Sequence, residues 1–138
     1  MAFTSSNEIT ISGGSEADRR KAFAMILAAD WGLEPATEDD IETLDGGALR
    51  LRFGSLDALP EDEIRNIAPQ FPDLDFLLLY LSLDGEFFGF LRACGADSKE
   101  ESADFPEGAL AQIEKSEEAA PLSHVRRHFE GNPAIRLG

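Results

Sequence analysis

The chain is poor in the residues that usually hold disulfides, metals and cofactors, with one cysteine, one tryptophan, one tyrosine and two histidines among its 138 residues. A single cysteine excludes an internal disulfide and therefore a small secreted scaffold that disulfides stabilise. No hydrophobic run approaches the ~20 residues that a membrane-spanning helix requires, and the first residues lack the basic start and apolar segment of a signal peptide. We therefore expect a cytoplasmic protein.

Basic residues are scarce as well. There are 12 lysines and arginines against 27 aspartates and glutamates, which gives a formal net charge of −15. Such a charge repels DNA, RNA and anionic membrane surfaces, because proteins bind these polyanions through cationic side chains. It favours a basic protein partner. A high net charge also keeps a globular domain soluble and monomeric, and this simpler interpretation stays open beside the first.

Apolar residues, in contrast, make up 43% of the chain, and they concentrate at residues 71–95. Two apolar runs of strand length flank an Asp-Gly pair at 84–85, which tolerates the positive φ that tight hairpin turns require. Both faces of this hairpin are apolar, whereas a sheet with one face in water alternates. A C-terminal tail, a second copy or a partner must cover the second face. We expect the tail to do so and to hide Phe88, Phe90 and Tyr80.

Local patterns predict the remaining elements. Alternation of polar and apolar residues indicates strands at 7–12 and 49–53, and capping residues indicate helices from Ser15 to about Ala29 and from Pro60 onward. Residues 98–104 are predicted to be a solvated linker, with helices following at 105–116 and 123–130. The order predicts an α+β fold, an antiparallel four-stranded sheet with helices on one face, ferredoxin-like. We expect this domain at residues 1–97 and an acidic linker with a helical tail, packed on the domain, at residues 98–138.

Short motifs within residues 7–96 resemble a known family. They are Ile9-Thr10-Ile11-Ser12-Gly13, the alternating strand at 49–53, Phe71-Pro72-Asp73-Leu74 and the Phe88-Gly89 step. In these motifs the chain resembles the YubB ferredoxin-like domain family, which is found on plasmids and phage-like elements. The resemblance implies a ferredoxin-like fold and a mobile-element setting, and it implies no particular activity.

No motif for catalysis or cofactor binding is complete. His124 and His128 have a spacing that can place two imidazoles on one metal, but the helical zinc motif requires a glutamate directly after the first histidine. The carboxylates after residue 37 miss the alternate-position spacing of a calcium loop. Residues 13–15 precede a helix but lack the lysine of a phosphate-binding loop. We therefore predict no catalytic residue, no metal ligand and no cofactor.

The acidic segment at residues 30–45 is the best candidate for a binding surface. It contains seven carboxylates and no lysine or arginine. An acidic run beside an aromatic side chain can engage an arginine-rich partner. The predicted partner-binding residues are Trp31, Glu34, Glu38, Asp39, Asp40, Glu42 and Asp45.

Three hypotheses about function follow. The first is a non-enzymatic, acidic protein-binding module, an inhibitor or immunity-type neutraliser of a basic partner, encoded by a mobile element and either monomeric or homodimeric. The first alternative is a nucleic-acid mimic that blocks a DNA-binding protein, as an anti-CRISPR protein does, with carboxylates from residues 34–45, 57–63 and 97–118 replacing phosphates. The second alternative is an enzyme or metal-binding protein, which requires carboxylates or histidines to converge in a pocket.

Overall fold

The computed structural model describes residues 3–32 and 36–130. This part of the chain contains six strands and four α-helices, joined by loops and short 3₁₀ turns. In chain order the elements are β1 (Thr4–Gly13), α1 (Glu16–Leu27), β2 (Glu42–Thr43), β3 (Leu49–Leu56), α2 (Glu61–Ile67), β4 (Leu74–Ser82), β5 (Phe87–Cys94), β6 (Asp97–Asp104), α3 (Leu110–Ala119) and α4 (Ser123–His128). Across residues 3–32 and 36–130, no helix is both long and apolar enough to cross a membrane.

The strands form one antiparallel sheet in the order β2-β3-β1-β4-β5-β6. Because β3 and β4 are both antiparallel to β1, they run in the same direction, and α2 connects them across the strand that separates them. The prediction of a four-stranded, ferredoxin-like sheet is wrong, since the described residues form six strands. The two additional strands are the edges of the sheet, and neither carries an alternating apolar pattern.

Strand β6 shows why the pattern of polar and apolar residues did not predict this edge strand. Residues 97–104 pair with β5 along its whole length, from Phe87 opposite Asp104 to Cys94 opposite Asp97, although residues 98–104 are predicted to be a linker. Only Ala103 of this strand is partly buried. The strand is held by its backbone hydrogen bonds to β5 and contributes almost nothing to the core. Its side chains therefore carry no periodic signal of the kind from which strands are predicted.

One face of the sheet packs against α1 and α2. Helix α1 starts where the sequence predicts it, because the Ser15 hydroxyl accepts a hydrogen bond from the Asp18 backbone N–H at 3.1 Å. Its buried residues, Ala22, Phe23 and Ile26, meet the strands in one apolar cluster. The strand and α2 residues of this cluster are Ile9, Ile11, Leu49, Leu51, Ile64, Ile67, Leu74, Phe76, Leu78, Tyr80, Leu91 and Ala93.

The opposite face of β4 and β5 lies under the tail formed by α3 and α4. Phe88 and Phe90 are fully buried there. Tyr80 lies on the other face, in the cluster under α1 and α2, so the expectation that the tail hides it is wrong. The sheet residues of the tail cluster are Leu77, Leu79, Leu81, Phe88 and Phe90, and the tail residues are Ile113, Leu122, Val125 and Phe129.

The β4–β5 hairpin closes differently from the two-residue turn that its Asp-Gly pair suggests. The loop spans residues 83–86, and the residue with positive φ is Glu86, at 56°, rather than Gly85. The Ser82 hydroxyl accepts from the Gly85 N–H at 3.0 Å and donates to Asp84 at 2.9 Å. Asp84 in turn accepts from the Thr4 N–H at 3.0 Å, and this bond is the main cause of its lowered pKa. The aspartate therefore ties the hairpin to the start of β1.

Candidate functional site

The predicted acidic surface is only partly available to a partner. Trp31 is 8% exposed, its indole N–H donates to the Ile26 carbonyl at 3.0 Å, and its ring lies 5.4 Å from that of Phe53. The tryptophan is therefore a core residue. Glu42 on β2 bonds the Arg50 guanidinium at 2.9 Å, which lowers the pKa of this carboxyl and neutralises part of its charge.

The remaining predicted residues lie in the turns beside β2. Glu38, Asp39 and Asp40 are exposed on one 3₁₀ turn, where Asp40 also accepts from the Thr37 backbone N–H at 2.8 Å. Asp45 is exposed in the next turn. Glu34 lies outside the described residues. The structure brings these carboxylates to one edge of the sheet, and their role in binding stays a prediction.

A second acidic surface lies at the opposite edge, on β6. Its pairing with β5 places alternate residues on the two faces of the sheet. The tail side carries Asp97, Lys99, Glu101 and Ala103, and the helix side carries Ser98, Glu100, Ser102 and Asp104. Within residues 3–32 and 36–130, no strand pairs with the outer edge of β6. This edge therefore combines carboxylates on both faces with backbone groups that are open to another strand.

Two carboxyl groups converge where α2 meets β6. Glu61, the first residue of α2, has a side chain only 16% exposed, and Glu100 of β6 lies beside it. Arg65 bonds Glu100 closely and lies 3.7 Å from Glu61. Burial, followed by the hydrogen bond to Glu100, raises the pKa of Glu61 to about 7, whereas the bonds from Glu61 and Arg65 lower the pKa of Glu100. At pH values between the two pKa values, the pair therefore shares one proton, which the more buried Glu61 holds.

Tyr80 of β4 completes this cluster. Burial raises the pKa of its phenol, and the charges of Glu61 and Glu100 add to the effect. The phenol lies over Gly89 of β5, where a Cβ atom would collide with the tyrosine hydroxyl. A groove of about 400 Å³ opens here, and its lining residues are Leu59, Glu61, Tyr80, Phe87, Ser102, Ala103 and Asp104.

Sequence reasoning missed this cluster because its members come from three separate elements. The single local signal is the Pro60-Glu61 step, which predicts the start of α2 but says nothing of what the glutamate meets. The enzyme hypothesis requires carboxylates or histidines to converge in a pocket. The cluster meets this requirement in part, with two carboxyl groups and no identified substrate.

A polar cluster around Glu8 joins the tail to the sheet. Glu8 of β1 is 2% exposed, and it accepts from Arg52 Nε at 2.8 Å and from the Arg126 guanidinium of α4. A groove of about 230 Å³ adjoins it, lined also by Thr10 and Arg50. Because both cations reach a carboxylate in the middle of the sheet, the cluster fixes α4 on β1.

The two histidines pack against Phe88. The rings of His124 and His128 meet Phe88 edge-on at 4.7 and 4.8 Å. Burial, followed by the charge of His128, lowers the pKa of His124. Among the described residues, no group of three or more histidine, cysteine, aspartate or glutamate side chains could hold a metal ion.

No family model, no curated protein and no solved structure matches this chain. The resemblance to the YubB family therefore stays a prediction. Among the surfaces of the described residues, the β6 edge and the groove beside it combine acidic side chains, open backbone groups and a concave shape.

Proposed function

We propose that this chain is a non-enzymatic binding module that occludes a basic protein partner by pairing with an extended basic segment along β6. The observation that supports the proposal is the composition of this edge. Four carboxylates accompany one lysine along the strand, on both faces, beside backbone groups that no strand of the described part occupies. An added strand gains affinity from main-chain hydrogen bonds and specificity from its side chains.

The same charges determine which strand can be added. Pairing of β6 with the β6 of a second copy brings carboxylates against carboxylates, and like charges directly opposite each other are destabilising. A strand with lysine or arginine at alternate positions gains opposite-charge pairs instead. The edge therefore favours a basic partner over self-association.

An inhibitor or immunity-type neutraliser acts in this way, since the captured segment is withheld from its own target. The mobile-element setting remains part of the proposal. Nucleic-acid mimicry is its narrower form, in which the carboxylates beside β2 would also face the partner. Because β2 and β6 are opposite edges of the sheet, that form requires a partner that reaches around one face.

The test is a titration of the ¹⁵N-labelled full chain with a decapeptide of alternating lysine and threonine, followed by NMR. We expect amide shifts along β5 and β6 and an affinity that falls with added salt. The double variant Asp97→Lys/Asp104→Lys should bind about tenfold more weakly, because two exposed charge pairs worth roughly 0.2–1 kcal/mol each become repulsive.

The matched control is Glu114→Lys/Glu118→Lys, which makes the same change in net charge on the exposed side of α3. It should retain most of the affinity. Equal weakening by both double variants would mean that only the overall charge matters, and shifts centred on β2 would move the binding surface to the other edge.

A further inference from the structure

The groove between α2 and β6 has the chemistry of a pocket for a cationic side chain. Its volume, about 400 Å³, lies within the range of roughly 300–1,000 Å³ that is typical of ligand pockets. Tyr80 and Phe87 supply aromatic surface, with their rings 6.3 Å apart, and Leu59 adds an aliphatic wall. Glu61 and Asp104 supply the acidic groups of the lining.

We propose that this groove binds one arginine side chain of the partner segment that docks on β6, an inference that rests on the proposed function. A guanidinium is planar, stacks on aromatic rings and bonds carboxylates through a fork of N–H donors. Its methylene stem can lie along apolar walls while its head reaches the acidic groups. Asp104 belongs to β6 itself, so a strand paired with that edge carries its side chains directly past the groove.

Below a pH of about 7, the proton that Glu61 shares with Glu100 removes one of two adjacent negative charges. An incoming guanidinium makes that proton unnecessary, because it supplies the positive charge itself. Arg65 makes its closest contact with Glu100 and lies 3.7 Å from Glu61, so it neutralises the inner carboxyl only in part and an incoming guanidinium can add to it. The other charged or titratable groups that face Glu61, from α2, the loop before it, β4 and β6, are Asp57, Asp62, Arg65, Tyr80, Glu100 and Asp104.

The probe is N-acetyl-arginine amide, titrated by NMR into the full chain at pH 6 and at pH 8. A carboxyl with a pKa of about 7 is ionised in roughly one molecule in ten at pH 6 and in nine of ten at pH 8, so affinity should rise about tenfold. The Glu61→Gln variant should bind as weakly at pH 8 as the unaltered chain does at pH 6. Glu114→Gln, the control for net charge, should keep the full rise.

N-acetyl-lysine amide tests whether the planar guanidinium and its stacking on the aromatic rings matter. It should bind several-fold more weakly than the arginine probe. Equal binding of the two probes, an affinity independent of pH, or shifts that avoid β6 and α2 would each overturn the arginine pocket. The lysine-threonine decapeptide contains no arginine. Its binding to β6 therefore tests the docking edge separately, and the edge can stand where the pocket fails.

Discussion

Replacement of Glu61 by glutamine tests the proton shared at the α2–β6 contact through the stability of the fold. The pKa of this carboxyl rises from 4.5 to about 7 in the folded chain, mainly because the group is buried. At 1.36 kcal/mol per pKa unit, the difference corresponds to at most about 3 kcal/mol. Solvent reaches part of the contact and screens it, so we expect about 1–2 kcal/mol.

The sign follows from the direction of the pKa change. A carboxyl whose folded pKa is raised binds its proton more tightly in the folded state, so its stabilisation is complete below pH 4.5 and is lost as the pH rises through about 7. Glu100, whose pKa is lowered, acts in the opposite sense and only below its ordinary value of 4.5. His124 also titrates between pH 5 and pH 8, but it does so in both chains, so the difference between Glu61→Gln and the unaltered chain in this window reports on Glu61.

The assay is urea unfolding followed by circular dichroism at pH 5, 6, 7 and 8. Glutamine keeps the shape of the side chain and a donor for Glu100 but cannot ionise, so Glu61→Gln should gain about 1–2 kcal/mol over the unaltered chain by pH 8 and nothing at pH 5. Glu114→Gln serves as the control and should track the unaltered chain. A difference that stays constant from pH 5 to pH 8 would refute the shared proton.

Three further predictions concern the other contacts. Arg52→Ala and Arg126→Ala should each cost about 1 kcal/mol in the free energy of unfolding, but together about 3–5 kcal/mol, because the double variant leaves the buried Glu8 carboxylate unpaired; additive losses in a double-mutant cycle would contradict this. Since burial lowers the pKa of His124, the free energy of unfolding should fall as the pH drops below 6.5. The His124→Gln variant should lose less stability over that pH range. Gly89→Ala places a methyl carbon 2.5 Å from a carbonyl oxygen of β6 and should cost about 1–3 kcal/mol or more; an unchanged melting temperature would contradict the close approach of β6 and the phenol to this position.

Local sequence patterns determined several elements of this protein correctly. Alternation predicted β1 and β3, although both are longer than their apolar cores. Ser15 and Asp18 predicted the start of α1, and the two apolar runs around residues 84–85 predicted β4 and β5. In each case the signal lies in the residues of the element itself, because burial of one face or of both faces determines which positions along the element are apolar.

The tertiary structure decided the number of strands and the faces they present. An edge strand such as β6 is held by backbone hydrogen bonds, which every residue except proline can make, so an acidic and unpatterned sequence serves as well as an apolar one. Trp31 shows the same limit for the candidate site. Its acidic neighbours suggested an exposed anchor, whereas the ring packs beside Phe53 in the core.

The sequence by itself determined the acidic character of the chain, the positions of its local elements and the existence of an apolar hairpin that needed covering on both faces. Only the tertiary structure decided that Tyr80 lies on the face away from α3 and α4, and that Glu61, Tyr80 and Glu100 meet at an open edge of the sheet. The physical reason is the range of the interactions. Capping and alternation act between residues a few positions apart, whereas desolvation and charge pairing depend on which distant elements fold against each other.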